Sequence, residues 1–159
     1  MRPLRVPNRR RTNSVSVLLV EPNADHWLLI RSALHQCFPE VKPVWITNPA
    51  QAITYLETCL REESNLPILI LSELYLPRRQ DGLSLVTSIK SHLIFQVIPI
   101  IVLSHSQDPL DIVDAYQYNI ASYIIKPSTS HQWLVTFYQF RRYWWEWVAL
   151  RFHLPPAHE

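Results

Sequence analysis

A single glycine among 159 residues, Gly82, is the sharpest shortage in this chain. Phosphate-cradling loops of the dinucleotide and nucleotide-triphosphatase kinds need several glycines so that the backbone can approach phosphate, and both are excluded. Cysteine is scarce too. Cys37 and Cys59 show neither metal-ligand spacing nor a repeated pattern, and read as ordinary thiols of a protein in the reducing cytoplasm. No stretch of membrane-spanning length is free of charge: Trp133 to Leu150 comes nearest, but Arg141, Arg142 and Glu146 interrupt it. The opening MRPLRVPNRRRTN lacks the apolar run after its arginines that a secretory signal would need. The histidines include no pair at helical metal-binding spacing with a third ligand nearby. Ser72 and His105 suggest a nucleophile and a base, yet no oxyanion-hole glycine turn and no orienting acid accompany them, which sets a hydrolase aside.

What is present fits one globular domain. Hydrophobic residues make up 48% of the chain, enough for a proper core at this length. The net charge of +2 is unevenly placed, since Arg2, Arg5, Arg9, Arg10 and Arg11 precede Val15 and the remainder carries −3. A mildly acidic body lacks the basic face of nucleic-acid binders. Residues 1–14 read as a disordered basic tail, residues 15–150 as the domain, and residues 151–159 as a second tail. An Arg-tail contact with nucleic acid or an acidic partner is the alternative, and its signature would be binding that collapses with salt.

Strand-length apolar runs alternate five times with segments of helical period. Val15 to Val20 precedes a helix over Ala24 to Cys37, where Trp27, Leu28, Ile30, Arg31 and Leu34 mark the stripe. Val41 to Ile46 is a more exposed strand, followed by Asn48 as N-cap and Pro49 as the first residue of a helix through Leu60. Pro67 to Ser72 reads as a strand covered on both faces. Leu83 to His92 is helical, Val97 to Ser104 a strand, and Ser106 to Asn119 a helix with Asp108 and Asp111 near its positive end. Ala121 to Ile125 is the fifth strand, and Ser128 to Ser130 offers caps for a last helix reaching about Leu150. Five βα units imply a parallel sheet wrapped by helices, a three-layer α/β sandwich.

The carboxyl ends of such strands are where ligands gather. Glu21 follows the first strand, Glu73 the third, Ser104 ends the fourth and Lys126 follows the fifth. Two carboxylates, a hydroxyl and an ammonium form the inventory of a phosphoryl-accepting site, in which acids hold a divalent metal and the other groups bind phosphate oxygens. In VLLVEPN, ILSELYLP, PIIVLSHS and SYIIKPS the chain resembles the receiver domain of two-component response regulators. The resemblance implies a flavodoxin-like sheet in the order 2-1-3-4-5, Glu73 at the phosphoacceptor position, Glu21 in the acidic pocket, and Ser104, Tyr123 and Lys126 as phosphate-pocket and switch residues. The aromatic last helix, FYQFRRYWWEWVAL, further resembles stand-alone regulators that accompany bacterial phytochromes.

Departures from that pattern carry the functional expectation. Where the family has an acidic pair this chain has Glu21-Pro22, Glu73 replaces the aspartate, and the loop LPRRQDG is one residue longer. Magnesium demands near-ideal octahedral geometry, so poor metal binding, no cofactor and impaired phosphorylation are expected, with a direct Glu73 to Lys126 ion pair in the pocket. Glutamate falls short of phosphoaspartate in charge and acceptors. A non-enzymatic pseudo-receiver in the cytoplasm follows, meeting a sensor histidine kinase or another signalling protein; a conventional phosphorylated regulator is the alternative. Trp133, Phe137, Phe140, Trp144, Trp147 and Val148 follow core-facing steps of the last helix, leaving Tyr138, Tyr143 and Trp145 for a homodimer face with the fourth helix and fifth strand.

Overall fold

A computed structural model describes residues 15–142. The two expected tails, the continuation of the last helix towards Leu150, and Tyr143 and Trp145 of the expected dimer face lie outside the described residues. The elements are β1 (Val15–Val20), α1 (Ala24–Cys37), β2 (Val41–Ile46), α2 (Pro49–Arg61), β3 (Leu69–Ser72), α3 (Arg79–Lys90), a 3-10 turn (Phe95–Val97), β4 (Ile100–Ser104), α4 (Pro109–Gln117), β5 (Ser122–Ile125) and α5 (Ser130–Phe140). The strands form one sheet in the order β2-β1-β3-β4-β5, and every neighbouring pair is parallel.

The two-residue period of the strands sorts the core into two layers. Leu18, Val20, Ile70, Ile100 and Val102 point to one side, where Ala52 and Leu56 of α2, Leu83, Val86 and Ile89 of α3, and Ala115 of α4 cover them. Val17, Leu19, Leu69, Leu71, Ile101 and Leu103 point to the other, covered by Ile30, Ala33 and Leu34 of α1 and by Trp133 and Phe137 of α5. Cys37 and Cys59 are both buried free thiols, and burial pushes the Cys37 thiol up. Helix starts follow local chemistry: Asn23, Asn48, Asp108 and Thr129 each accept backbone N–H bonds with their side chains, and Pro49 and Pro109 stand in the first turns of α2 and α4.

Several boundaries differ from the sequence reading, each for a local reason. Helix α3 starts at Arg79 rather than Leu83, because Asp81 receives the Arg78 backbone N–H at 3.0 Å and nucleates a polar first turn without apolar period. β4 starts at Ile100 rather than Val97, since the preceding segment closes a 3-10 turn and leaves Val97 77% exposed. α4 runs from Pro109 to Gln117 rather than from Ser106 to Asn119; Asp108 caps its start, and Asn119 turns left-handed at φ 61° beyond its end. β3 begins at Leu69 and β5 at Ser122, each trimmed at its start.

The lone glycine has a steric cause. A Cβ on Gly82 would lie 1.8 Å from the Leu74 carbonyl oxygen, so only glycine lets α3 close onto the loop after β3. That contact positions the loop carrying Glu73 and Tyr75.

Candidate functional site

The parallel register sets the strand ends side by side: Val20 pairs with Ser72, and Ser104 with Ile125. The next residues, Glu21, Glu73 and Lys126, therefore converge on one rim of the sheet. All three are buried, and the Lys126 side chain is only 1% exposed. Ser104, at the end of β4, is buried beside them and its carbonyl accepts the Lys126 backbone N–H at 2.8 Å.

An ammonium has three hydrogens to donate and no lone pair. The Lys126 Nζ donates to Glu21 Oε2 at 2.7 Å, pairs closely with Glu73 Oε2, and stands 3.0 Å from His26 Nδ1. Each carboxylate turns its other oxygen to the backbone. Glu21 Oε1 accepts from the Asn23 N–H at 3.1 Å, and Glu73 Oε1 accepts from the N–H groups of Leu74 and Tyr75 at 2.9 and 3.2 Å. The expected Glu73 to Lys126 ion pair is thus present, with Glu21 as its second acid.

His26 is the residue that sequence reasoning missed. It stands in the first turn of α1, and no spacing marks it; only the turn through Pro22 and the Asn23 cap aims its ring back at the pocket. Because Lys126 must donate, His26 Nδ1 accepts, and the neutral ring carries its proton on Nε2. That atom lies 3.3 Å from Nε2 of His105, which is exposed. Burial, followed by the Lys126 charge, holds the His26 pKa below its ordinary value.

Ser104 Oγ accepts the Ser106 N–H at 3.3 Å and so shapes the loop after β4. The Tyr123 hydroxyl donates to the Ser106 carbonyl at 2.8 Å, and burial raises its pKa. The same loop is fastened again through Asp111 of α4, a buried carboxylate unmarked by the sequence beyond its place near a helix start. Asp111 Oδ2 accepts from the Tyr75 hydroxyl at 2.8 Å and from Ser106 Oγ at 2.5 Å. Its Oδ1 lies 2.6 Å from Arg79 Nε, a contact of charges without hydrogen-bond alignment, while the Arg79 guanidinium also pairs with Asp114. Burial pulls the Asp111 carboxyl upward, but the Ser106, Tyr75 and Arg79 contacts outweigh it and hold the pKa below the usual value.

The Lys126 ammonium bonds to both inward-facing carboxylate oxygens, and Pro22 contributes none. Beside the pocket an open groove of about 540 Å³ runs along β5 and α5, lined among others by His105, Gln107, Ile125, Gln132 and Val135. Tyr138 is 56% exposed and shares that side of the molecule with Val135 and Ile125.

Comparison with known proteins agrees with this fold. The family model of the response regulator receiver domain matches residues 17–137. The probable methanogenesis regulatory protein FilR2 of Methanothrix harundinacea (strain 6Ac) is 30% identical over 131 residues, covering 82% of this chain and 84% of that protein. The phosphorylated cyanobacterial phytochrome response regulator RcpA superposes with a TM-score of 0.73 at 29% identity, over 82% of this chain and 94% of its own. The response regulator RPA3017, from red light signaling of R. palustris, shares the fold with a TM-score of 0.73 at 19% identity, over 82% and 93% of the two chains.

Proposed function

This chain belongs to the response regulator receiver domain family, and from that membership we propose that it is a pseudo-receiver of two-component signalling whose pocket is closed by its own lysine. Receiver domains pass signals between a histidine kinase and downstream proteins. In this one the message travels by protein contact, with little or no phosphoryl transfer to Glu73 and no enzymatic turnover. The reading rests on one observation above the others: the three donor positions of Lys126 are taken by Glu21, Glu73 and His26. A phosphoryl group on Glu73 would have to break the Glu73 contact and would find Pro22 where the family carries a second acid. Phosphoryl transfer without a divalent metal ion to neutralise the developing charge lacks its largest electrostatic assistance.

The test is direct. Purified protein incubated with acetyl phosphate and magnesium should keep its unmodified intact mass. A phosphoryl increment mapped to Glu73 would refute the pseudo-receiver reading and favour a conventional regulator.

A homodimer through the face of α4, β5 and α5 completes the proposal. On α4, Leu110, Val113 and Tyr116 are all about half exposed or more, and Ile125, Val135 and Tyr138 extend the apolar surface across β5 and α5. Exposed apolar surface of this extent marks association, and two-fold pairing is the commonest solution. Among the described residues no helix is long and apolar enough to cross a membrane. We place the protein in the cytoplasm on the family's working compartment. Mass in solution checks the dimer: Val113→Glu should convert it to monomer, and a wild-type monomer at high concentration would sink this part.

A further inference from the structure

We propose that Tyr75 is the mechanical link between the Glu73 pocket and the start of α4, fastened at its amide to the Glu73 carboxylate and at its hydroxyl to the Asp111 carboxylate. The two bonds are 3.2 Å and 2.8 Å long and belong to one residue, so a displacement of Glu73 is delivered to α4 through a single rigid side chain. A tyrosine suits this use because its ring is stiff and its polar tip lies far from its backbone. The chain of contacts is continuous: Lys126 to Glu73, Glu73 to the Tyr75 amide, the Tyr75 hydroxyl to Asp111, and Asp111 to Ser106.

At its far end the link meets the loop that Tyr123 also touches. Tyr123 donates to the Ser106 carbonyl while Ser106 Oγ donates to Asp111, so Asp111 and Ser106 collect both routes. Asp111 is strongly held: it is 5% exposed, receives two hydroxyl bonds, and lies against the Arg79 guanidinium that also binds Asp114. Hydrogen bonds to an ionised acceptor are the stronger kind, which makes the Tyr75 to Asp111 joint able to carry load. The consequence is that the exposed α4 face answers to the state of the Glu73 side chain through Tyr75, by a route that joins that of Tyr123 at Ser106. This deepens the receiver reading of the pocket but is indifferent to whether Glu73 takes phosphate.

Coupling of this kind requires a cycle of variants, since proximity alone does not establish it. Glu73→Ala and Tyr75→Phe, singly and together, would be followed by amide hydrogen exchange in residues 105–113. In the chain with Tyr75, Glu73→Ala should speed exchange there by about threefold or more, the range for groups in one network. With Tyr75→Phe in place, the same Glu73 change should leave those amides within the error of the single Tyr75 variant. An undiminished Glu73 effect in the Tyr75→Phe background would overturn the proposal, because the signal would then run through Lys126 and Ser104. So would the lack of any Glu73 effect in the chain with Tyr75. Should Glu73→Ala fail to fold, Glu73→Gln with Tyr75→Phe provides the same cycle, read in the same residues. The intact-mass test with acetyl phosphate is separate, so either result can fail while the other stands.

Discussion

Replacing Lys126 with methionine tests whether the buried ammonium is what makes two buried carboxylates tolerable. Methionine keeps the length and packing of the side chain and removes the charge. Glu21 and Glu73, with side chains 2% and 8% exposed, would face each other across the pocket with no cation between them. Removing one partner of a buried ion pair costs about 3–5 kcal/mol, since it strands charge that the interior solvates poorly. Both acids keep their backbone N–H donors, Asn23 for Glu21 and Leu74 and Tyr75 for Glu73, which holds the loss within that range rather than above it. By contrast, Glu73→Gln leaves a balanced Lys126 to Glu21 pair and removes one charged contact, a loss of roughly 1.5–3 kcal/mol. The order of the two variants is therefore as diagnostic as the size. Urea unfolding near neutral pH should place Lys126→Met well below Glu73→Gln, with a melting temperature lowered by roughly 10–20 °C for a domain of this size. If Lys126→Met stays within about 1 kcal/mol of wild type, below the range for a buried pair, water already solvates these carboxylates and the closed-pocket argument collapses.

Other consequences are equally open to measurement. Gly82→Ala should destabilise by about 1–3 kcal/mol or more, as for overpacked cores, because the 1.8 Å contact is with backbone that has nowhere to go; a neutral result in thermal unfolding would show that α3 shifts freely. His26 has a folded pKa below its ordinary 6.5, so below that value the unfolded chain takes up a proton before the folded one does. Stability is then full above about pH 6.5 and declines as pH falls towards the folded value. Urea midpoints measured down to about pH 5 should show this slope, and His26→Asn should flatten it. Asp111 has its pKa lowered as well, and so contributes stability above its ordinary 3.8 that is lost as pH falls through the folded value. Asp111→Asn should reduce that acid-side loss, read as a shallower pH dependence of the melting temperature.

Much of the architecture was legible because strand burial leaves a local mark. The apolar runs at Val15 to Val20 and Val41 to Ile46 and the stripe over Ala24 to Cys37 carry their own periodicity, and the structure keeps those bounds. Asn48-Pro49 announced a helix by the chemistry of its cap. The start of α3 was illegible in the same terms: ArgArgGlnAsp has no apolar period, and its helix is made by a polar cap and by packing of Gly82 on Leu74. The candidate site divided likewise. Glu21, Glu73 and Lys126 could be named because each follows an apolar strand, whose end is a marked place in a parallel sheet. His26 and Asp111 lie in helical turns, where a polar residue is ordinary, and the sequence gives no sign of what either faces.

By itself, then, the order of amino acids determined the alternation of strands and helices, the receiver resemblance and the three charged residues at the strand ends, since each is encoded within a few neighbouring positions. Only the tertiary structure decided that the Lys126 ammonium is divided among Glu21, Glu73 and His26, and that Tyr75, Ser106 and Arg79 meet on Asp111. Lys126 lies 100 or more residues from Glu21 and His26, and Tyr75 lies 36 from Asp111. Their distances and the direction of each donor are fixed by sheet register and helix docking, which no local pattern specifies.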